Sequence, residues 1–154
     1  MNNEYLSKEG LEKIKNDLEK MKTQGRKEVA ARFKFAKSLG DLSENAEYKA
    51  AIESQAMLEE KIAKSEDIIK RAVVIEKTSG STVQLGSAVE LKKENNNDKI
   101  YKYVIVGQEE TDISSGKISN KSPMGSALIG KKKGDKVSVR TPSGENKYII
   151  LEIS

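Results

Sequence analysis

The sequence predicts a two-domain α+β protein. Residues 1–76 are expected to form a long antiparallel helical hairpin with coiled-coil periodicity. A polar linker at 77–81 leads to a small, mostly antiparallel sheet with one short helix over residues 82–154. Three observations carry this prediction. Both prolines, Pro123 and Pro142, lie in the second half, so helices in the first half can run long without a kink. Apolar residues in the first half recur every three or four positions, as along a coiled-coil seam. Beyond Ser81 the period changes to two, the mark of half-buried strands.

Taken in order, Ser7 suits a helix N-cap, with Glu9 in the first turn where the helix dipole favours an acid. Leu11, Ile14, Leu18 and Met21 form the first stretch of the stripe. After Gly25 it resumes with Val29, Phe33, Ala36 and Leu39. Gly40 is placed to end this helix, and Asp41 to Glu44 to open the next. That second helix carries Tyr48, Ile52, Gln55, Leu58, Ile62, Ser65 and Ile69, a seam with two polar interruptions. Some 30 residues at 1.5 Å rise give a rod of roughly 45 Å. In the second half, Ser87–Lys92 and Lys99–Val106 alternate as strands around an Asn95–Asp98 loop. Lys136–Arg140 and Lys147–Ile153 repeat the pattern around the turn Thr141-Pro-Ser-Gly144, and Met124–Ile129 reads as a brief helix on the sheet.

Composition narrows the chemistry. The 154 residues include 28 Lys plus Arg, 24 Asp plus Glu and no His, Cys or Trp. Thiolate–imidazole zinc sites, disulfide frameworks and His-activated nucleophiles are thereby excluded. A net charge of +4 is too small to imply a nucleic-acid coat. No apolar run reaches the roughly 18 residues of a membrane span, and the polar N-terminus lacks a signal-peptide apolar segment. A cytoplasmic location is expected.

The hairpin tip, Gly40-Asp-Leu-Ser-Glu-Asn-Ala-Glu-Tyr48, concentrates Asp41, Glu44 and Glu47 where a core has little use for them. Arg26, Lys27, Arg32, Lys34 and Lys37 precede it, so the charge changes sign at the turn. Asp41-x-x-Glu44 also fits a capping box. The two roles are compatible, since a cap leaves one carboxylate oxygen free. Two acids on an exposed tip would hold Mg²⁺ weakly, because this ion wants six oxygens. They become useful if a partner supplies the rest, as in two-metal phosphodiester chemistry. The basic run reads either as a solvated helix face or as a modest phosphate-binding patch.

The tip, together with Ser122-Pro-Met-Gly-Ser-Ala-Leu-Ile-Gly-Lys131, Gly134-Asp135 and Thr141-Pro-Ser-Gly144, resembles the GreA/GreB family of bacterial transcript cleavage factors. The resemblance runs from about Leu6 to Ile153. It implies an FKBP-like fold for the C-terminal domain, docked at the rim of the secondary channel of RNA polymerase on a coiled coil of the β′ subunit. The rod would enter that channel, where Asp41 and Glu44 would help hold a second Mg²⁺ shared with polymerase. The transcript of a backtracked complex would then be cut near its 3′ end. The resemblance implies an RNA contact from Lys37, with Lys34 and Arg32 of the basic run as further RNA-contacting candidates, although Ile52 stands where the family often has Arg. It implies polymerase docking through Asn120, Ser122, Pro123 and Met124; Ser122-Pro123 also reads as an ordinary helix start. On this reading the protein is an accessory factor without independent catalysis, monomeric, with no membrane partner. Two other readings remain: a non-catalytic channel binder, disfavoured by the retained acids, and a prolyl isomerase. The isomerase is disfavoured because residues 77–154 offer only Tyr101, Tyr103 and Tyr148 to line a pocket.

Overall fold

The structure, a computed structural model, describes residues 2–40, 43–76, 80–95 and 99–154. Helix dominates the first half and sheet the second, as the change of period predicts. The chain divides into two compact units. One is Leu11–Arg71; the other joins the described residues up to Gly10 to those of Ala72–Ser154. These compact units group the start of the chain with its second half, whereas the expectation divided the chain after residue 76. The reason is a small parallel sheet that the sequence reading did not contain. Its strands are β1 (Glu4–Leu6) and β2 (Ala72–Val74), with Tyr5 opposite Val73. Three residues per strand are too few to show a period. Residues 77–79 of the expected linker lie outside the described residues.

In the helical unit, α1 (Lys8–Lys20), a π-helical turn (Met21–Gly25) and α2 (Arg26–Ser38) follow one another without a break. The π turn falls where Gly25 interrupts the stripe. A Cβ on Gly25 would sit 3.1 Å from the Leu58 side chain, so the missing side chain lets the opposite helix approach closely. Leu11, Ile14, Leu18, Met21, Val29 and Phe33 are half-buried and Ala36 is fully buried, as the stripe requires. Leu39 is not part of it: it lies past the last turn and is 56% exposed. Gly40 then takes φ 110°, the left-handed conformation that ends a helix cheaply only at glycine.

Helix α3 runs from Ala46 to Arg71. It does not open at Asp41–Glu44, as expected. Asn45 is the cap, its Oδ1 accepting from the Tyr48 N–H at 3.1 Å. Glu44 therefore precedes the helix and cannot close a capping box; Asp41 lies outside the described residues. Ion pairs Lys22–Glu66, Arg26–Glu59 and Arg32–Glu47 join rising numbers to falling ones, so α3 runs antiparallel to α2. The buried residues of α3 are Ala51, Ile62 and Ile68. Ile52, expected in the seam, is 46% exposed, because the close contact belongs to its small neighbour Ala51, one residue and about 100° around the helix.

The second unit contains a five-stranded sheet in the order β5-β4-β3-β7-β6. The strands are β3 (Ala88–Lys93), β4 (Ile100–Val106), β5 (Lys117–Ser119), β6 (Lys136–Thr141) and β7 (Gly144–Ile153). All pairings are antiparallel except β4 with β5. Alternate residues Val89 and Leu91, Val137 and Val139, and Tyr148 and Ile150 build one core face. A register shift between Glu90 and Leu91 lets both Ile150 and Ile153, three apart on β7, meet that core. Helix α4 (Pro123–Leu128) adds Leu128 to the core, with Met124 and Ala127 packed against it. Among the described residues no helix is long and apolar enough to cross a membrane.

Candidate functional site

At the end of the helical unit, Asn45 holds the chain between α2 and α3. Its Nδ2 donates to the Ala36 carbonyl at 2.7 Å while its Oδ1 caps α3. Phe33 and Tyr48 meet edge to face, centroids 5.6 Å apart, and fasten the same end. Glu44 stands directly before this anchor. Its side chain is exposed and makes no hydrogen bond or ion pair among the described residues. Of the two acids singled out in the sequence, Glu44 is thus an available oxygen ligand, and Asp41 lies outside the described residues.

The three expected RNA-contacting residues do not share one surface. Lys34 and Lys37 are exposed on α2 and line a groove with Arg26, Phe33, Leu58 and Glu59. Arg32 lines another groove, with Glu28, Ser54, Met57 and Lys61. Its Nε donates to Glu47 Oε1 at 3.0 Å and its Nη1 to Ser54 Oγ at 2.7 Å. The guanidinium is therefore committed to α3, whereas among the described residues the two lysines make no such bond. The helical period explains the split, since two or five residues after Arg32 fall on other faces of α2.

Farther along the groove Arg26 grips Glu59 through two bonds of 2.9 Å. That hydrogen bonding holds the Glu59 carboxyl below its ordinary value and raises the Arg26 guanidinium above its own. The positive charge of the groove comes from Lys34 and Lys37 rather than from Arg26.

The expected docking residues lie together at the start of α4. Asn120 donates its N–H to the Val106 carbonyl at 3.0 Å. Ser122 caps α4, accepting from the Gly125 N–H at 3.0 Å and donating to the Ser119 carbonyl at 2.6 Å. Pro123 occupies the first helical turn and is exposed; Met124 is half-buried against the core. The ordinary helix start is realised, and it leaves Pro123 presented to solvent. On the sheet, Tyr101 stacks on Tyr103 and meets Tyr148 edge to face. Burial, the largest cause, pushes the hydroxyls of Tyr103 and Tyr148 above their ordinary value.

Sequence reasoning missed Asn45, although an Asn before Ala-Glu-Tyr is a legible cap signal. It also missed Ser54, which carries no signal outside the folded pair. Among the described residues no group of three or more acidic side chains could hold a metal ion. Glu44 fits Mg²⁺ chemically as one hard oxygen donor, but one carboxylate falls short of six ligands.

The chain is thus a two-part protein, a pair of helices with an exposed acid, Glu44, at one end and a sheet unit. Residues 4–74 match the family model described as "Transcription elongation factor, N-terminal", and residues 77–154 match "Transcription elongation factor, GreA/GreB, C-term". The chain belongs to the GreA/GreB family of transcription elongation factors. It is 45% identical over 155 residues to transcription elongation factor GreA of Clostridioides difficile, covering 99% of this chain and 97% of that one. It is 45% identical over 150 residues to GreA of Bacillus cytotoxicus, covering 96% and 94%. Among solved structures, GreA factor homolog 1 of Thermus thermophilus is 31% identical, covers 99% of both chains and has a TM-score of 0.43.

Proposed function

We propose that this protein enters the secondary channel of bacterial RNA polymerase and stimulates the polymerase's own Mg²⁺-dependent cleavage of backtracked RNA. The observation that carries the reading is Glu44: an exposed carboxylate without a hydrogen-bond or ion-pair partner among the described residues, next to an anchored residue, in a protein of this family. In this proposal the helical unit is a coiled-coil arm, and the FKBP-like sheet unit docks on the β′ coiled coil through Asn120, Ser122, Pro123 and Met124. Asp41 and Glu44 are the residues that would hold Mg²⁺ jointly with polymerase. When bound, that ion supplies charge stabilisation and a more acidic attacking water. Lys34 and Lys37 attract the phosphates of the displaced 3′ end. Arg32, already paired with Glu47, steadies the arm and contributes less to RNA. The factor acts as a cytoplasmic monomer and is not a catalyst by itself.

The test is a halted, backtracked polymerase incubated with and without the protein. Transcript shortening that depends on the protein and is lost in Glu44→Ala, with polymerase affinity unchanged, is expected. Inhibition without shortening would instead mean a channel plug. Full-rate cleavage by a variant lacking both acids would defeat the proposal.

A further inference from the structure

We infer that Asn45 is the positioning residue that directs Glu44, an inference that rests on the cleavage reading for its functional consequence. Asn45 is half-buried and its amide makes two bonds. One runs 2.7 Å to the Ala36 carbonyl at the end of α2, and the other 3.1 Å from the Tyr48 N–H in the first turn of α3. The group must donate to one helix and accept from the other, with reach across the turn. An amide does both. A carboxylate cannot donate, and a serine hydroxyl, able to cap, is too short to span.

The tie therefore joins the last turn of α2 to the first turn of α3. Ala36 is fully buried, so the carbonyl that receives the amide sits on packed structure. Glu44 is the residue next to the anchor, and among the described residues its side chain makes no hydrogen bond or ion pair that would orient it. Its direction is set through the backbone by Asn45. Asn45 acts on Glu44 through the main chain, its own bonds going to Ala36 and Tyr48. A group that orients a metal ligand by a direct bond is typically worth about 10–100-fold in metal affinity, so the low end of that range is expected.

Asn45→Ser separates the two bonds, because serine keeps the cap on α3 and removes the tie to Ala36. Two measurements on the full chain test the inference. In the free protein, the backbone order parameter of Glu44 should fall from about 0.85 to below about 0.6 in Asn45→Ser, with helix content unchanged. In the polymerase assay, the Mg²⁺ concentration for half-maximal cleavage should rise about tenfold while polymerase affinity stays constant. An unchanged order parameter would overturn the positioning role whatever the assay gives. A mobile Glu44 with an unchanged Mg²⁺ midpoint would overturn its link to cleavage. Absence of stimulated cleavage by the wild type would sink the functional reading instead, and the order parameter would still decide the tie.

Discussion

The carboxylate of Glu110 accepts hydrogen bonds from both the backbone N–H and the hydroxyl of Ser7, 103 positions earlier in the chain. Ser7 Oγ in turn accepts from the Gly10 N–H at 2.9 Å. The first turn of α1 is thus capped twice, once by its own serine and once by an acid from the short turn Gln108–Glu110 after β4. The arrangement suits the orphan amides and partial positive charge of a helix start.

Glu110→Ala removes both bonds and is expected to cost about 1–3 kcal/mol. Gly10→Ala should act through the same place, because a Cβ there would lie 2.1 Å from Glu110 Oε1. Urea unfolding followed by circular dichroism checks both; a midpoint unchanged by Glu110→Ala would remove the acid from the cap.

Gly125→Ala is expected to disturb the start of α4, since its Cβ would fall 2.0 Å from the Ser119 carbonyl oxygen. Backbone cannot swing aside as a side chain can, so the strain should reach about 1–3 kcal/mol. Binding to polymerase should weaken with it if Pro123 and Met124 form the docking surface. Calorimetry and a binding titration report the two effects separately.

Lys37→Ala and Lys34→Ala should each weaken retention of the displaced RNA and flatten its dependence on salt, by roughly one unit of slope per lost phosphate contact. Arg32→Ala should change that slope little and lower the melting temperature instead, because its bonds go to Glu47 and Ser54. A larger slope change for Arg32 than for the lysines would reverse this assignment.

The Arg26–Glu59 pair predicts an acid dependence. Glu59 lies below its ordinary value of 4.5 when folded, so its contribution is present above the unfolded value. It is lost as pH falls through the folded one. The stability difference between wild type and Glu59→Gln should shrink to nothing in acid, as read from urea midpoints across pH. Its size is modest, the pair being exposed.

Tyr103 and Tyr148 predict the alkaline limit. Burial raises both above the ordinary 10.0, so the folded sheet holds protons that the unfolded chain has released. Stability is complete below the unfolded value and falls as pH rises toward the folded ones. Tyrosinate absorbance should lag behind that of free tyrosine and then rise together with loss of the sheet.

The apolar stripe from Leu11 to Ala36, the stop at Gly40 and the alternating strands from Ala88 to Ile153 were legible because each is a local period or a local conformational demand. Asn45 was not legible as a tie, Ile52 was misread as a seam residue, and the pairing of Arg32 with Glu47 and Ser54 left no local mark. A cap that also reaches another helix, an exposed Ile beside a buried Ala51 and a cation already paired across the helices depend on what packs opposite. The sequence by itself determined the two kinds of architecture, the family motifs and the acids between the helices, because spacing and residue chemistry are properties of the chain. Only the tertiary structure decided that β1 joins β2 and that Glu110 caps Ser7. It alone separated Arg32 from Lys34 and Lys37. Hydrogen-bond partners and the burial of a given face are set by segments far apart in the chain, and no local period records them.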